Sequence, residues 1–189
     1  VMSNKGILIV FSGPSGVGKG TVLKRFINDE SLKLAYSVSM TTRAKREGEV
    51  DGVNYFYVSH EEFENAIKEG KLLEYARFVG NYYGTPVDYV NKLLDEGKNV
   101  LLEIEVQGAL QVMEKVPEAL TIFIVPPNVD ELEKRIRGRN TESDEIIKER
   151  LDKAVVEMTM LGKYKYVVCN DDPDKAALTI SNIIKRSME

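Results

Sequence analysis

The segment Gly13-Pro14-Ser15-Gly16-Val17-Gly18-Lys19-Gly20-Thr21 fits the pattern GxxxxGK, directly behind an apolar run and ahead of a helical pattern. Glycines at that spacing let successive backbone N–H groups turn inward as a nest for phosphate oxygens. The following helix N-terminus adds its positive end, and Lys19 supplies a point charge for β and γ phosphates. Gly20 stands where a hydroxyl residue usually follows the lysine, so Thr21, one place later, is the candidate hydroxyl for a magnesium ion. The bland alternative is a glycine-rich turn between strand and helix.

Two further groups have chemistry to offer. Ser39-Met40-Thr41-Thr42-Arg43-Ala44-Lys45-Arg46 sets two arginines three apart beside small hydroxyl residues, a candidate clamp for a second phosphate. A basic loop that is merely solvated is the alternative. Glu103 and Glu105, two apart in the apolar segment Val100–Val106, are expected on one face of a strand, near the end where open parallel sheets bind ligands. A structural pair held by Lys or Arg is the other reading. His60, the sole histidine, sits just inside a helix start and is given no role.

These residues need elements to position them, and the hydrophobic pattern supplies them. Ile7–Ser12, Val100–Val106, Leu120–Val125 and Tyr166–Cys169 read as buried strands, each followed by a helix, which argues for an α/β fold with a parallel sheet. Thr21–Asn28 reads as a helix burying Val22, Leu23, Phe26 and Ile27. Asn128 with Glu131 reads as a capping pair for a helix over Val129–Arg139, and Ser59 with Glu62 as another. Ile147, Leu151, Ala154, Val155, Met158 and Leu161 form an apolar helical stripe, and Asp172-Pro173 opens a last helix.

Two stretches break this rhythm. Residues 36–84 hold strand-like pieces (Tyr36–Met40, Val53–Val58, Leu72–Phe78) and most of the aromatics, which suggests an inserted subdomain. The stretch Arg135–Arg150, with Arg135, Arg137, Arg139 and Arg150 around the polar break Asn140–Ser143, reads as a hinged basic flap.

Composition bounds the remainder. The chain has 189 residues, one domain's length, with 26 Lys plus Arg against 30 Asp plus Glu; the net charge of −4 gives no electrostatic case for nucleic acid or an anionic membrane. A single cysteine, Cys169, and a single histidine exclude a disulfide framework and a Cys/His zinc cluster. The longest purely apolar run, Ile7–Phe11, is far too short to span a bilayer, and no signal peptide precedes it, so a soluble, cytoplasmic protein is expected.

With these residues in place, the chain resembles the guanylate kinases, nucleoside monophosphate kinases among the P-loop NTPases. Gly13–Gly20, Ser39–Arg46, Gly48-Glu49, Glu74, Gly80-Asn81-Tyr82-Tyr83-Gly84-Thr85, Glu103–Gly108, Arg139-Asn140-Thr141-Glu142 and Asn170-Asp171 carry the resemblance in that order. It implies a three-layer α/β/α core (1–37, 91–127, 156–189), an inserted mixed-β GMP-binding subdomain (38–90) and a helical lid (128–155). It implies transfer of the ATP γ-phosphoryl group to GMP with magnesium, within purine nucleotide metabolism. ATP would lie on Gly13–Thr21 with Asn170 and Asp171 beside adenine, and Thr21 would serve the metal. The GMP phosphate would fall to Arg43, Arg46, Tyr55 and Tyr83, and guanine to Ser39, Glu74 and Thr85. Glu49, Glu103 and Glu105 would complete the GMP site. Lys19, Arg46, Arg139 and Arg150 would be the catalytic cations. Thr85 replaces a common Ser, and Glu103 and Glu105 replace common Asp residues, which leaves open how the two carboxylates divide between magnesium water and arginine. The rival reading is a guanylate-kinase-like scaffold that binds phosphopeptides without catalysis, but those relatives lose the phosphate loop, and this chain keeps it. A kinase for another base or a phosphate-loop GTPase is a third reading, separable by the acceptor used.

Overall fold

The computed structural model describes residues 4–138 and 142–189. Its core is a five-stranded, all-parallel sheet in the order β2-β7-β1-β8-β9: β1 (Leu8–Ser12), β2 (Leu34–Tyr36), β7 (Asn99–Glu103), β8 (Leu120–Val125) and β9 (Tyr166–Cys169). Alternation along β1 sorts its side chains between two cores. Ile9 and Phe11 pack with Val22, Phe26, Ile180 and Ile184 from α1 (Lys19–Lys24), the turn after it, and α7 (Pro173–Ser187). Leu8 and Val10 pack on the other face with Val90, Leu93, Ala109 and Val112 from α3 (Val87–Asp95) and α4 (Val106–Lys115). Both faces of the strands are therefore covered, as an all-parallel sheet requires.

A second, mixed sheet runs in the order β4-β3-β6-β5: β3 (Met40–Thr41), β4 (Phe56–Tyr57), β5 (Leu72–Phe78) and β6 (Asn81–Pro86). The β3–β4 pair is parallel, and β3–β6 and β5–β6 are antiparallel. Helix α2 (His60–Lys68) covers this sheet through fully buried Phe63, which stacks on Tyr82 with ring centroids 4.8 Å apart. Helices α5 (Val129–Arg137) and α6 (Asp144–Met158) pack through Leu132, Ile136, Ile147 and Ala154.

The helix starts follow local chemistry. Asn128 Oδ1 accepts from Glu131 N at 2.7 Å, Ser59 Oγ from Glu62 N at 3.1 Å, and Asp172 Oδ1 from Asp174 N at 2.8 Å. Several expected boundaries move. The segment Tyr36–Met40 is not one strand: Tyr36 ends β2 in the core sheet, and Met40 starts β3 in the other sheet. Val53–Val58 shrinks to Phe56–Tyr57, because the preceding residues form turns, with Gly52 N bonded to Tyr55 O at 2.8 Å. Helix α1 stops at Lys24 and continues only as turns toward Asn28. Val155 is exposed rather than part of the α6 stripe. Helix α3 was not among the expected elements; Pro86 precedes its first turn.

Candidate functional site

The phosphate-loop segment Gly13–Thr21 joins β1 to α1 at the carboxyl end of the parallel sheet. Gly16 and Gly18 take φ of 83° and 91°, a left-handed backbone in which any Cβ would be strained. The loop is braced from behind. Val17 is fully buried, and its carbonyl accepts from Asn170 Nδ2 at 2.8 Å and from Arg135 Nη1 at 3.1 Å. Arg135 Nη2 also donates to the Asn170 carbonyl at 3.0 Å. Ser12 Oγ ties the end of β1 to the Ile104 carbonyl at 2.8 Å.

Lys19 is half-buried at the loop's end. Burial pushes its ammonium pKa down, and the nearby carboxylates of Glu103, Glu105 and Glu157 push it back up. The expectation that Glu103 and Glu105 share a strand face fails: β7 ends at Glu103, and Glu105 occupies the position before the first residue of α4. The apolar run continues past the strand because Ile104 and Val106 pack in the core on the α4 side. Both carboxylates nevertheless open into one cavity. Glu103 Oε2 accepts from the Tyr36 hydroxyl at 3.1 Å, and Glu105 Oε2 lies 3.4 Å from Lys153 Nζ on α6.

That cavity, of about 750 Å³, lies between the two sheets and α6 and collects Ser39, Tyr55, Glu74, Tyr83, Glu103 and Glu105. Glu74 and Thr85 are only 6% and 1% exposed, and Thr85 Oγ1 donates to Glu74 Oε1 at 2.7 Å. Burial pushes the Glu74 carboxyl up, against the hydrogen bond from Thr85 and the Lys115 ammonium, while Glu105 adds to the rise. Gly108 makes room for this carboxylate, since a Cβ there would collide with Glu74 Oε2.

At the outer side, Arg43 and Glu49 form a two-pronged pair with both N–O distances 2.9 Å, and Glu49 also accepts from the Arg46 N–H at 2.7 Å. The Arg43 guanidinium holds the Glu49 carboxyl down to about 2. The guanidinium lies 5.3 Å from the centre of the Tyr55 ring, which meets Tyr83 edge-on at 6.0 Å. Arg46 is exposed beside this pair.

The remaining expected residues are placed less simply. Arg139 lies outside the described residues. Arg150 is paired with Glu142 at 2.6 Å within the flap. Asn170 spends its amide N–H bracing the phosphate loop, and its buried Oδ1 has no partner among the described residues; Asp171 is exposed. Lys153 and Glu157, three and seven residues after Arg150 on α6, reach the cavity and were not singled out; their helical spacing from Arg150 was the available signal. Arg135, expected only as one of the basic flap residues, instead braces the phosphate loop through the Val17 and Asn170 carbonyls.

The donors near Lys19 suit magnesium by type: the Thr21 hydroxyl and the Glu103 and Glu105 carboxylates are hard oxygens. Among the described residues no group of three or more His, Cys, Asp or Glu side chains is placed to hold a metal ion.

A phosphate loop at the carboxyl end of a parallel sheet, with the carboxylates that act on its lysine also lining a cavity that reaches buried Glu74, defines a P-loop nucleotide-binding protein with a second ligand pocket. The model of the guanylate kinase family matches residues 5–187, and the chain belongs to that family. It is 55% identical over 184 residues to a guanylate kinase of Streptococcus thermophilus (strain CNRZ 1066), covering 97% of this chain and 88% of that protein. It is 58% identical over 185 residues to a guanylate kinase of Mesoplasma florum, covering 98% of this chain and 62% of that longer protein. Among solved structures, a guanylate kinase from Anaplasma phagocytophilum superimposes with a TM-score of 0.73 at 34% identity, over 97% of this chain and 87% of that one. No helix among the described residues is long and apolar enough to cross a membrane.

Proposed function

We propose that this chain is an ATP:GMP phosphotransferase, converting ATP and GMP to ADP and GDP within purine nucleotide metabolism in the cytoplasm. The observation that carries the reading is the carboxylate pair common to the loop lysine and the second pocket. Lys19 ends the phosphate loop among Glu103 and Glu105, and those carboxylates open into the cavity whose buried end is the Glu74–Thr85 pair.

In the reaction a GMP phosphate oxygen attacks the γ-phosphorus of ATP, the bond from that phosphorus to the bridging oxygen breaks, and ADP leaves. The attacking phosphate has a second pKa of about 6, so it is mostly ionised at neutral pH and needs no strong base. The chain's task is positioning, charge neutralisation and exclusion of water. Lys19 and the loop N–H groups hold the donor phosphates. Arg43 and Arg46, with Tyr55 and Tyr83, hold the acceptor phosphate, and Glu49 keeps Arg43 in place. The Glu74 carboxylate accepts guanine N1–H and N2–H, with Ser39 and Thr85 facing O6. Arg139 and Arg150 meet the transferring group on flap closure. Magnesium, held through Thr21 with water contacts to Glu103 or Glu105, would neutralise charge on the β and γ phosphates.

The test is ADP release with ATP and each of GMP, AMP and UMP. Turnover with GMP alone is expected; turnover with another monophosphate, or GTP hydrolysis without acceptor, overturns the reading. A binding-only scaffold would show no release at all.

A further inference from the structure

Strand β5 is the edge of the second sheet, so its outer row of N–H and C=O groups has no neighbouring strand. Helix α4, which belongs to the core, fills that place with side chains. Gln111 Oε1 accepts from Tyr75 N at 3.1 Å while Gln111 Nε2 donates to Tyr75 O at 2.9 Å, the two-way exchange that a paired strand residue would make. One turn later, Lys115 Nζ donates to the carbonyls of Leu72 at 3.1 Å and Leu73 at 3.0 Å. One turn earlier, Gly108 leaves space that the Glu74 carboxylate occupies. Residues 108, 111 and 115 share one face of the helix, and they bracket Glu74 on both sides along β5.

The ladder between β5 and β6 slips between Leu72 and Glu74, leaving Leu73 as the extra residue. A bulge re-aims the side chain beside it, and both carbonyls leading into Glu74 are the ones Lys115 holds. Among the described residues Lys115 makes no ion pair with a carboxylate; its charge is spent on this backbone and on the field at Glu74.

We propose that Gln111 and Lys115 are positioning residues for the choice of acceptor base, fixing the β5 main chain on α4 so that Glu74 is aimed into the cavity. The proposal rests on the reading of Glu74 as the base-selecting carboxylate. It makes α4 the physical link between the two ligand regions, since Glu105 occupies the N-cap position of the helix and Lys115 at its end is bonded to β5.

The test compares Gln111→Leu, Lys115→Met, Lys115→Arg and Glu74→Gln with the unaltered chain. Measured quantities are kcat/KM with GMP and AMP, kcat at saturating GMP, KM for ATP, and the thermal midpoint. Gln111→Leu and Lys115→Met are each expected to lower the GMP-over-AMP ratio about tenfold, the usual effect of losing one such contact. KM for ATP and kcat at saturating GMP should hold, and Lys115→Arg should restore the ratio. A lowered thermal midpoint with an unchanged ratio in both variants makes the tie purely structural and overturns the proposal. Should Lys115→Met not fold, Gln111→Leu, on a half-buried site, decides alone. If Glu74→Gln abolishes the ratio while the tie variants keep it, the positioning role alone fails. If Glu74→Gln itself keeps the ratio, the base reading fails and takes the proposal with it.

Discussion

The side-chain amide of Asn170 donates to the Val17 carbonyl at 2.8 Å, and so joins the end of β9 to the turn of the phosphate loop. Arg135 of α5 donates to the same oxygen at 3.1 Å. A carbonyl oxygen has two lone pairs, so both are used. The loop is thus held from the sheet and from the flap helix at one atom, which keeps its N–H groups aimed away from the core.

Removing either donor leaves the Val17 oxygen one partner, and removing both strands a buried acceptor. Asn170→Ala and Arg135→Met are each expected to raise KM for ATP severalfold with GMP affinity unchanged. The double variant should lose more than the sum, with a coupling of about 0.5–3 kcal/mol in a double-mutant cycle of ATP binding. Strict additivity would show that the two donors act separately.

Lys19→Ala should lower turnover by orders of magnitude, because charge stabilisation of the transferring group is lost. The fold should persist, since burial already disfavours this half-buried ammonium. Folded protein with near-normal turnover would remove the phosphate loop from the mechanism.

What the sequence made legible is local physics. The apolar run behind β1, and the caps at Ser59, Asn128 and Asp172, depend on neighbours a few residues away. The misplacements are tertiary. Tyr36 joins the core sheet because β2 pairs with β7, about 65 residues on, and a three-residue edge strand has little pattern to display. Glu105 looks like a strand residue in sequence because Ile104 and Val106 keep the run apolar across the strand end, where α4 packing takes over. Gln111, Lys115, Lys153 and Glu157 look like ordinary helix-surface residues in sequence. Only packing of α4 on β5 and of α6 over the cavity brings them to the site.

Arg150 rests on Glu142 at 2.6 Å, both partly exposed, so its guanidinium is held in the flap. Meeting the phosphoryl group requires leaving this partner, which costs little for a solvated pair. Arg150→Ala should therefore lower kcat far more than it weakens GMP binding. A comparable loss in the GMP dissociation constant with kcat spared would make Arg150 a ground-state contact.

Glu74 has a second consequence, in pH. Its carboxyl is raised above the ordinary value of 4.5, mainly by burial. The folded, ligand-free chain therefore holds a proton on Glu74 to higher pH than the unfolded chain does. As pH climbs from the ordinary value through the raised one, the unfolded state binds fewer protons and stability falls. Glu74→Gln removes that loss, so the variant should be at least as stable as the parent at neutral pH, and its melting temperature should lose this part of the pH dependence. Function moves the opposite way. Guanine N1–H and N2–H need the ionised carboxylate, so kcat/KM for GMP should fall on the acid side of the raised value, while Glu49, held near 2, contributes no limb in that range. The Gln side chain puts an NH₂ against one of those donors, and a buried unpaired donor costs up to about 10⁴ in selectivity. Thr85→Val, which deletes the 2.7 Å hydrogen bond that opposes the rise, should shift the acid limb further upward. A GMP pH profile identical in Glu74→Gln and parent would assign the limb to another group and detach Glu74 from the base.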